Sequence, residues 1–286
     1  MQSLRAILVV FASVSAVIGA LATPAAAAER VLSVGGSITE IVYALGQGDR
    51  LVARDTTSSF PPEATALPDV GYMRRLSPEG VLSVGPDLIL LDEGAGPPDA
   101  LDVLRAARVP MVVVPDTPSR EGILEKIHVI GEALGVDAKA KELSAGIESD
   151  FDMAAAVVAG IPAPERARVL FILSTQGGRI LAAGRNTSAA AIIELAGGIN
   201  AVDAFEGYKP VTDEAVAAAA PDWILMMDRG GSHSAATDEL VAMPALASTE
   251  AARNRAVIRM NGLYLLGFGP RTAQAIVDLN SAIYGE

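Results

Sequence analysis

One short segment of the sequence places a phenol and a guanidinium group two residues apart. Tyr72 follows Gly71, and Arg74 comes two positions later. An arginine beside a tyrosine stabilises the phenolate and lowers the phenol pKa below its reference value of about 10. A phenolate is a hard ligand that suits ferric iron, and tyrosine is one of the axial ligands of haem iron. Met73, between the two, points the other way in an extended segment. From spacing alone, a half-buried aromatic next to a solvated arginine is the simpler interpretation.

A second pattern occurs twice along the chain. Residues 77–91 and 212–226 share, at an offset of 135, a cap, a short helix with a glutamate in its first turn, a Pro-Asp stop and an apolar strand. The glutamates are Glu79 and Glu214, and a Gly-Tyr pair precedes each copy, with Tyr208 in the second. A unit repeated once at this distance is too long for a solenoid. It indicates two lobes of related design that face each other.

Signatures of catalysis are scarce in this sequence. There is no cysteine, and the two histidines are His128, in a predicted helix, and His233, in a Gly/Ser-rich loop. No Walker loop, Gly-x-Ser-x-Gly elbow or paired-histidine motif is present, so we expect no enzymatic activity. The formal charge of −12 argues against nucleic acid and anionic membrane surfaces as general partners. We further expect a monomer.

The first 28 residues have the pattern of a secretory signal peptide. Arg5 precedes an apolar run over residues 6–21, and a Thr-Pro breaker and four alanines follow it. We therefore expect cleavage near residue 28 and export to the periplasm, with an uncleaved anchor helix as the alternative. The absence of cysteine excludes disulfides and a lipid anchor at a cleavage-site cysteine.

Hydrophobic patterning predicts an α/β fold of two lobes, each with a mostly parallel sheet covered by helices. The N-terminal lobe is predicted over residues 29–118, a helical linker over 119–160 and the C-terminal lobe over 161–286. Ser37 and Glu40 match a capping box at the first helix. Strands are predicted at residues 31–34, 51–55, 88–91, 111–114, 169–173, 223–227 and 256–260, and residues 174–178 are predicted to turn from a strand into a helix.

The linker is predicted to contain helices over residues 119–134 and 137–159. At ~1.5 Å per residue the second helix alone spans about 33 Å, longer than a crossover in a small sheet requires. We expect this single long helix to join the lobes. Because a helix resists bending, we expect little motion of one lobe against the other.

Several segments together resemble the periplasmic haem-binding proteins of bacterial haem ABC importers. The similarity runs over nearly all of the chain after the signal, and the segment at residues 71–80 is its most specific part. The other segments are residues 34–46, 182–187, 197–200 and 265–272. The resemblance implies two α/β lobes joined by a long helix, with haem b held in the cleft as the transported, ferric ligand. It also implies delivery to the permease dimer of an ABC transporter at the inner membrane.

The resemblance also implies residue roles. Tyr72 is the implied axial iron ligand, supported by Arg74, while Glu79 and Glu214 are implied to dock onto arginines of the two permease subunits. Neither histidine matches a second-lobe iron ligand, so we expect five-coordinate iron or a weak sixth ligand.

Two more residues are candidates by position. Tyr208 would form the facing wall of the cleft by stacking or hydrogen bonding, or would be an ordinary loop aromatic. Arg229 follows the strand at residues 223–227, and the carboxyl ends of such strands face the cleft. A haem propionate would need a cation there.

Other functions fit the same scaffold. Relatives of this class carry cobalamin or ferric siderophores with different cleft residues. Siderophore pockets favour more arginines or tryptophans in the cleft, whereas this chain has one tryptophan, Trp223, inside a strand pattern. An exported α/β enzyme is the alternative from another class, and it would need a nucleophile–base pair that the sequence does not show.

Overall fold

The computed structural model describes residues 28–228 and 236–285. They form two β-sheets covered by helices, with apolar clusters on both faces of each sheet. The N-terminal sheet has the order β2-β1-β3-β4 and is parallel throughout. Its strands are β1 (Val31–Val34), β2 (Leu51–Arg54), β3 (Leu88–Asp92) and β4 (Met111–Val114). The helices around it are α1 (Gly36–Ala44), α2 (Pro78–Ser83), α3 (Pro98–Ala106) and α4 (Arg120–Leu134). The central strands β1 and β3 are buried along their whole length, as covered parallel strands must be.

The C-terminal sheet is mixed. Its order is β10-β9-β5-β6-β8, with β7 beside β5. The strands β10, β9, β5 and β7 run parallel, while β6 and β8 are antiparallel to their neighbours. The strands are β5 (Arg168–Ser174), β6 (Ile180–Ala183), β7 (Ile199–Asn200), β8 (Tyr208–Val211), β9 (Trp223–Asp228) and β10 (Val257–Asn261). The helices after the linker are α6 (Ser188–Leu195), α7 (Asp213–Ala219), α8 (Thr237–Val241), α9 (Pro244–Ala247), α10 (Glu250–Arg253), α11 (Gly262–Leu266) and α12 (Thr272–Tyr284).

The prediction of a helix directly after β5 is wrong. The chain instead turns at Gly177 and Gly178, which have φ of 67° and 74°, and returns as the antiparallel strand β6. Positive φ is accessible to glycine without steric cost, so this turn closes a hairpin. The two-lobed α/β class is confirmed, with an antiparallel edge that the sequence did not reveal.

Helices α4 and α5 (Asp137–Val158) pack together between the sheets. α4 also contacts α1, and α5 contacts α12. The two helices approach closely, since a Cβ at Gly131 would lie 2.4 Å from the Cβ of Ala140. One continuous apolar core includes side chains from both sheets and both helices. The domain boundaries and the limited lobe motion stay predictions. In the described ranges no helix is long and apolar enough to cross a membrane.

The prediction of a capping box at the first helix is wrong. Its N-cap is Gly35, with a φ of 124° and no side-chain cap. The Ser37 hydroxyl instead accepts a hydrogen bond from Lys126, and Glu40 pairs with Arg271. Both side chains therefore have distant partners that local sequence spacing does not show.

A buried lysine joins the two lobes. Lys126 on α4 is fully buried, and its Nζ donates to the carbonyls of Gly267 and Phe268 at 3.3 and 3.2 Å. Its remaining partners are the Asp116 carboxylate and the Ser37 hydroxyl, the latter at 3.3 Å. Because Gly267 and Phe268 follow α11, the ammonium connects α4 to the C-terminal lobe.

An ion pair beside this lysine makes a second connection. The guanidinium of Arg271, just before α12, donates two hydrogen bonds to Glu40 on α1, one of them at 3.0 Å. Glu40 is only 5% exposed, and the guanidinium carbon lies 3.6 Å from the Phe60 ring centroid. Burial raises the pKa of the Glu40 carboxyl, and Arg271 opposes that effect. We call Glu40, Lys126 and Arg271 the interlobe clamp.

Candidate functional site

The segment with Tyr72 forms a tight turn at the edge of the N-terminal sheet. Gly71 has a φ of 99°, Tyr72 is extended, and residues 73–75 form a single 3-10 turn. The Tyr72 side chain is 40% exposed, whereas Met73 is only 9% exposed and packs in the apolar core. The extended backbone thus separates a buried methionine from a phenol that faces solvent.

Backbone hydrogen bonds hold the C-terminal side of this turn. The Gly96 amide donates to the Met73 carbonyl, and the Leu76 amide donates to the Gly96 carbonyl, both at 2.9 Å. The Arg75 amide closes the turn onto the Tyr72 carbonyl at 2.8 Å. The turn is therefore fastened to the loop that leaves β3.

Tyr208, in the C-terminal lobe, is affected by the charge of Arg74 in the N-terminal lobe. Tyr208 lies on β8, not in a loop, and its ring meets Phe171 edge-on at a centroid distance of 6.3 Å. Burial raises the pKa of the Tyr208 phenol, while the Ala189 backbone, the Thr187 side chain and the charge of Arg74 act to lower it. Because Arg74 precedes the linker and Tyr208 follows it, this is an electrostatic effect of one lobe on the other. That both groups border one cleft stays a prediction.

A buried carboxyl group lies at the carboxyl end of the N-terminal sheet. Asp92 ends β3 and is 6% exposed, and its Oδ1 accepts a hydrogen bond from the Gly94 amide at 2.8 Å. Burial, and next the nearby Asp116, raise the pKa of Asp92 from 3.8 to about 6, against the effects of Gly94, Lys126 and Arg74. Carboxyl groups with strongly raised pKa values occur preferentially at functional sites, where burial and neighbouring charges are arranged to shift them.

Asp92 should make the protein less stable near neutral pH. The pKa of this carboxyl is raised in the folded state, so its stabilising contribution is complete below 3.8 and is lost as the pH rises to about 6. We expect Asp92→Asn to raise the free energy of unfolding by about 1–3 kcal/mol at pH 7.5, with little gain at pH 4. Urea unfolding at both pH values measures this, and a variant that is less stable at both would contradict it.

The repeated glutamates are both exposed at helix starts. Ser77 caps α2 by accepting from the Gly80 amide at 3.4 Å, and Thr212 caps α7 by accepting from the Ala215 amide at 3.2 Å. Glu79 and Glu214 occupy the first turns of these helices. Hydrogen bonds from its own backbone amide and from Thr212 lower the pKa of the Glu214 carboxyl. The matched local structure that the repeat predicts is present in both lobes.

Two candidates lie outside the described residues. Arg229 and His233 fall in residues 229–235, so the structure says nothing about them. His128 is exposed on α4. Within residues 28–228 and 236–285, no group of three or more His, Asp or Glu side chains could hold a metal ion.

Sequence reasoning overlooked Asp92 and Lys126. Asp92 could have been found because it ends a buried parallel strand, where ligand clefts form. Lys126 falls on the apolar face of α4 with Ile123, Ile127 and Ile130. A lysine in such a face indicates a buried partner.

Comparison with known proteins is consistent with this architecture. A family model described as periplasmic binding protein matches residues 31–262. The solved periplasmic heme-binding protein RhuT from Roseiflexus sp. RS-1, in apo form, is 41% identical, with a TM-score of 0.85 over 90% of this chain and 98% of that one. An uncharacterized ABC transporter substrate-binding lipoprotein, YvrC of Bacillus subtilis, is 28% identical over 258 residues, 90% of this chain and 80% of that protein.

A shorter match concerns a different ligand. The vitamin B12-binding protein of Yersinia pseudotuberculosis is 42% identical over 100 residues, 35% of this chain and 36% of that protein. The family match, by contrast, extends from the first strand of the N-terminal sheet to the start of α11. The resemblance inferred from the sequence is confirmed: the chain belongs to the periplasmic binding protein family.

Proposed function

We propose that this protein, after export by its signal peptide, captures haem b in the cleft between its lobes and delivers it to the permease dimer of an ABC transporter. The observation that carries the proposal is the exposed Tyr72 phenol, with the exposed Arg74 two residues further along the chain. The similarity to a haem-binding protein over nine-tenths of the chain supports it. The proposed role is binding and delivery without catalysis.

The described residues contain no cluster of metal ligands, which favours iron bound in a porphyrin over a free ferric ion. Ferric iron alone needs several protein ligands, and the described residues contain no such group. In haem the porphyrin nitrogens occupy the equatorial positions, so a single protein oxygen completes an axial site. Tyr72 supplies that oxygen, and its hydroxyl makes no hydrogen bond to another described residue. We therefore propose five-coordinate ferric haem, or a weak sixth ligand.

An exposed arginine suits a ligand that carries carboxylates. The propionates of haem are anionic and the full chain carries a formal charge of −12, so a bound propionate would need a local cation. Arg74 is exposed and forms no ion pair within residues 28–228 and 236–285, so its guanidinium is available to an anion or to the phenolate. Tyr208 is proposed as the facing wall, and Arg229 as a further partner for a propionate.

An absorption spectrum tests the proposed cargo. Purified protein mixed with haemin should show a Soret band and the charge-transfer feature of a ferric tyrosinate, at one haem or more per chain after gel filtration. Parallel samples receive cobalamin and a ferric siderophore. Retention of cobalamin in place of haemin would favour the vitamin B12 reading that the shorter match suggests. Retention of neither would contradict a tetrapyrrole cargo.

We propose Glu79 and Glu214 as the contacts to the permease. They lie exposed in matched first turns, one in each lobe, where a carboxylate complements the helix dipole. That local role alone would explain one such residue. Two at matched sites can engage two subunits, where exposed charges accelerate encounter and set register more than they add affinity.

The paired glutamates can be tested by transport. Glu79→Ala with Glu214→Ala should leave the haem spectrum and the periplasmic protein level intact but reduce haem uptake through the cognate transporter. Each single change should do less, and salt should weaken the wild-type complex. Glu125→Ala with Glu142→Ala, on α4 and α5, removes the same charge elsewhere and should transport normally. If the Glu79→Ala, Glu214→Ala variant takes up haem at the wild-type rate, the two glutamates act only at the starts of their own helices.

A further inference from the structure

We propose that Asp69 is the positioning residue for Tyr72, since its carboxylate sets the backbone turn that directs the phenol into the cleft. The haem-binding consequence rests on the proposed function, while the effect on the turn does not. Nothing in the repeat or in the resemblance concerns Asp69. It lies in the connection between β2 and the Tyr72 turn.

The Asp69 carboxylate receives three hydrogen bonds. Oδ1 accepts from the Gly71 amide at 2.8 Å and from the Thr56 hydroxyl at 3.1 Å. Oδ2 accepts from the Arg54 guanidinium, also at 3.1 Å. The contact to Gly71, two residues on, is the pattern by which aspartate side chains stabilise turns.

Backbone pairing brings this carboxylate to the end of β2. The Arg54 amide donates to the Pro68 carbonyl at 3.0 Å, and the Val70 amide donates to the Arg54 carbonyl at 2.9 Å. The Thr56 amide then bonds to the Gly71 carbonyl at 3.0 Å. At Gly71 the chain leaves this pairing with a φ of 99°, and both its amide and its carbonyl are held at that point.

Tyr72 is held mainly through its neighbours in the chain. Its side chain is 40% exposed, and its hydroxyl has no hydrogen-bonding partner among the described residues. On the C-terminal side, the buried Met73 and the Gly96 backbone fix the chain. On the N-terminal side, the Gly71 amide is fixed by Asp69. Asp69 is therefore the side chain that orders the approach to the phenol.

A purely stabilising role does not account for this arrangement. The Asp69 and Arg54 side chains are 38% and 13% exposed, and ion pairs with such exposure contribute little to stability. Groups that orient a metal ligand matter more for binding, because removing one typically lowers metal affinity by about 10–100-fold. Positioning and stability therefore predict different results.

Two substitutions separate the hydrogen bonds from the charge. Asp69→Ala removes all three contacts, and haem should then dissociate about 10–100-fold faster with a weaker tyrosinate charge-transfer band. Asp69→Asn keeps an oxygen that accepts from Gly71, so it should stay near wild type. Asp87→Ala is the matched control, because Asp87 similarly accepts from the Glu29 and Arg30 amides at 2.9 and 3.0 Å. It should leave haem release unchanged.

A double-variant cycle tests whether Asp69 acts through Tyr72. In a Tyr72→Phe background, Asp69→Ala should have no further effect on haem release, since the oxygen that it positions is gone. An equal effect in both backgrounds would overturn the proposal.

The protein without haem provides a separate measurement. Asp69→Ala should accelerate hydrogen exchange of the Gly71 amide and sharpen the ¹⁹F signal of fluorotyrosine at position 72, since the turn gains mobility. Unchanged exchange and an unchanged signal would overturn the positioning role. If Tyr72→Phe binds haem as wild type does, the iron-ligand assignment fails. The haem-free data alone then decide whether Asp69 sets the turn.

Discussion

Haem should dissociate at least ~100-fold faster from the Tyr72→Phe variant than from the wild type, and the tyrosinate charge-transfer band should disappear. The substitution removes the ligand oxygen and keeps the ring. Removing a side chain that only orients a metal ligand typically lowers metal affinity by about 10–100-fold, so removing the ligand itself should cost at least the upper end of that range. Because the Tyr72 side chain is 40% exposed, the free energy of unfolding should hardly change. Transfer of haem to an excess of apomyoglobin measures the release rate.

Tyr43→Phe is the matched control for this experiment. Tyr43 lies near the end of α1, on the helix whose opposite end contacts the C-terminal lobe, so the variant should retain haem as the wild type does. Arg74→Ala should act in the same direction as Tyr72→Phe but more weakly. A Tyr72→Phe protein with an unchanged spectrum and release rate would show that iron is bound elsewhere.

Breaking the interlobe clamp should have the largest effect on stability. Arg271→Ala leaves Glu40, which is 5% exposed, without its cation, and we expect the free energy of unfolding to fall by about 3 kcal/mol at pH 7.5. The pKa of Glu40 is already raised by burial, and loss of Arg271 should raise it further. A raised carboxyl pKa favours the folded state at low pH, so the deficit should shrink as the pH falls. Urea unfolding at pH 7.5 and pH 5 measures both effects.

Two further variants show whether burial is the cause. Glu40→Leu combined with Arg271→Met removes both charges and should recover most of the loss, since no buried charge remains unpaired. Arg253→Ala breaks an exposed ion pair in which the Arg253 side chain is 57% and the Glu250 side chain 52% exposed, so it should hardly change the free energy of unfolding. Equal losses in Arg253→Ala and Arg271→Ala would contradict a buried clamp.

The sequence predicted the elements whose determinants are local. The caps at Ser77 and Thr212 are followed by the expected short helices, because a hydroxyl near its own helix start needs no distant partner. The apolar runs that became β1 and β3 were predicted because buried parallel strands are nearly uniform in hydrophobicity. The run that became β4 is a strand as well, but only its last residue, Val114, is buried.

The failures depend on distant partners. Ser37 and Glu40 fit a capping box by spacing. In the structure, however, Ser37 bonds to Lys126, 89 residues away, and Glu40 bonds to Arg271, 231 residues away. Similarly, a glycine-rich turn after a buried strand leads equally well to a helix or to a hairpin. Pairing with β6 decides between them, and no local signal carries that information.

The interlobe clamp has a consequence for how a transporter would recognise its cargo carrier. In binding proteins that close around a ligand, the loaded and empty forms differ in shape, so a partner can distinguish them. Here we expect a buried ammonium, a buried ion pair and a continuous apolar core to keep the lobes at one separation. We expect empty and loaded copies to present the same surface to a membrane partner, so empty copies should compete for it as inhibitors. The rate of import would then depend on the fraction of the pool that carries cargo as well as on the amount of cargo.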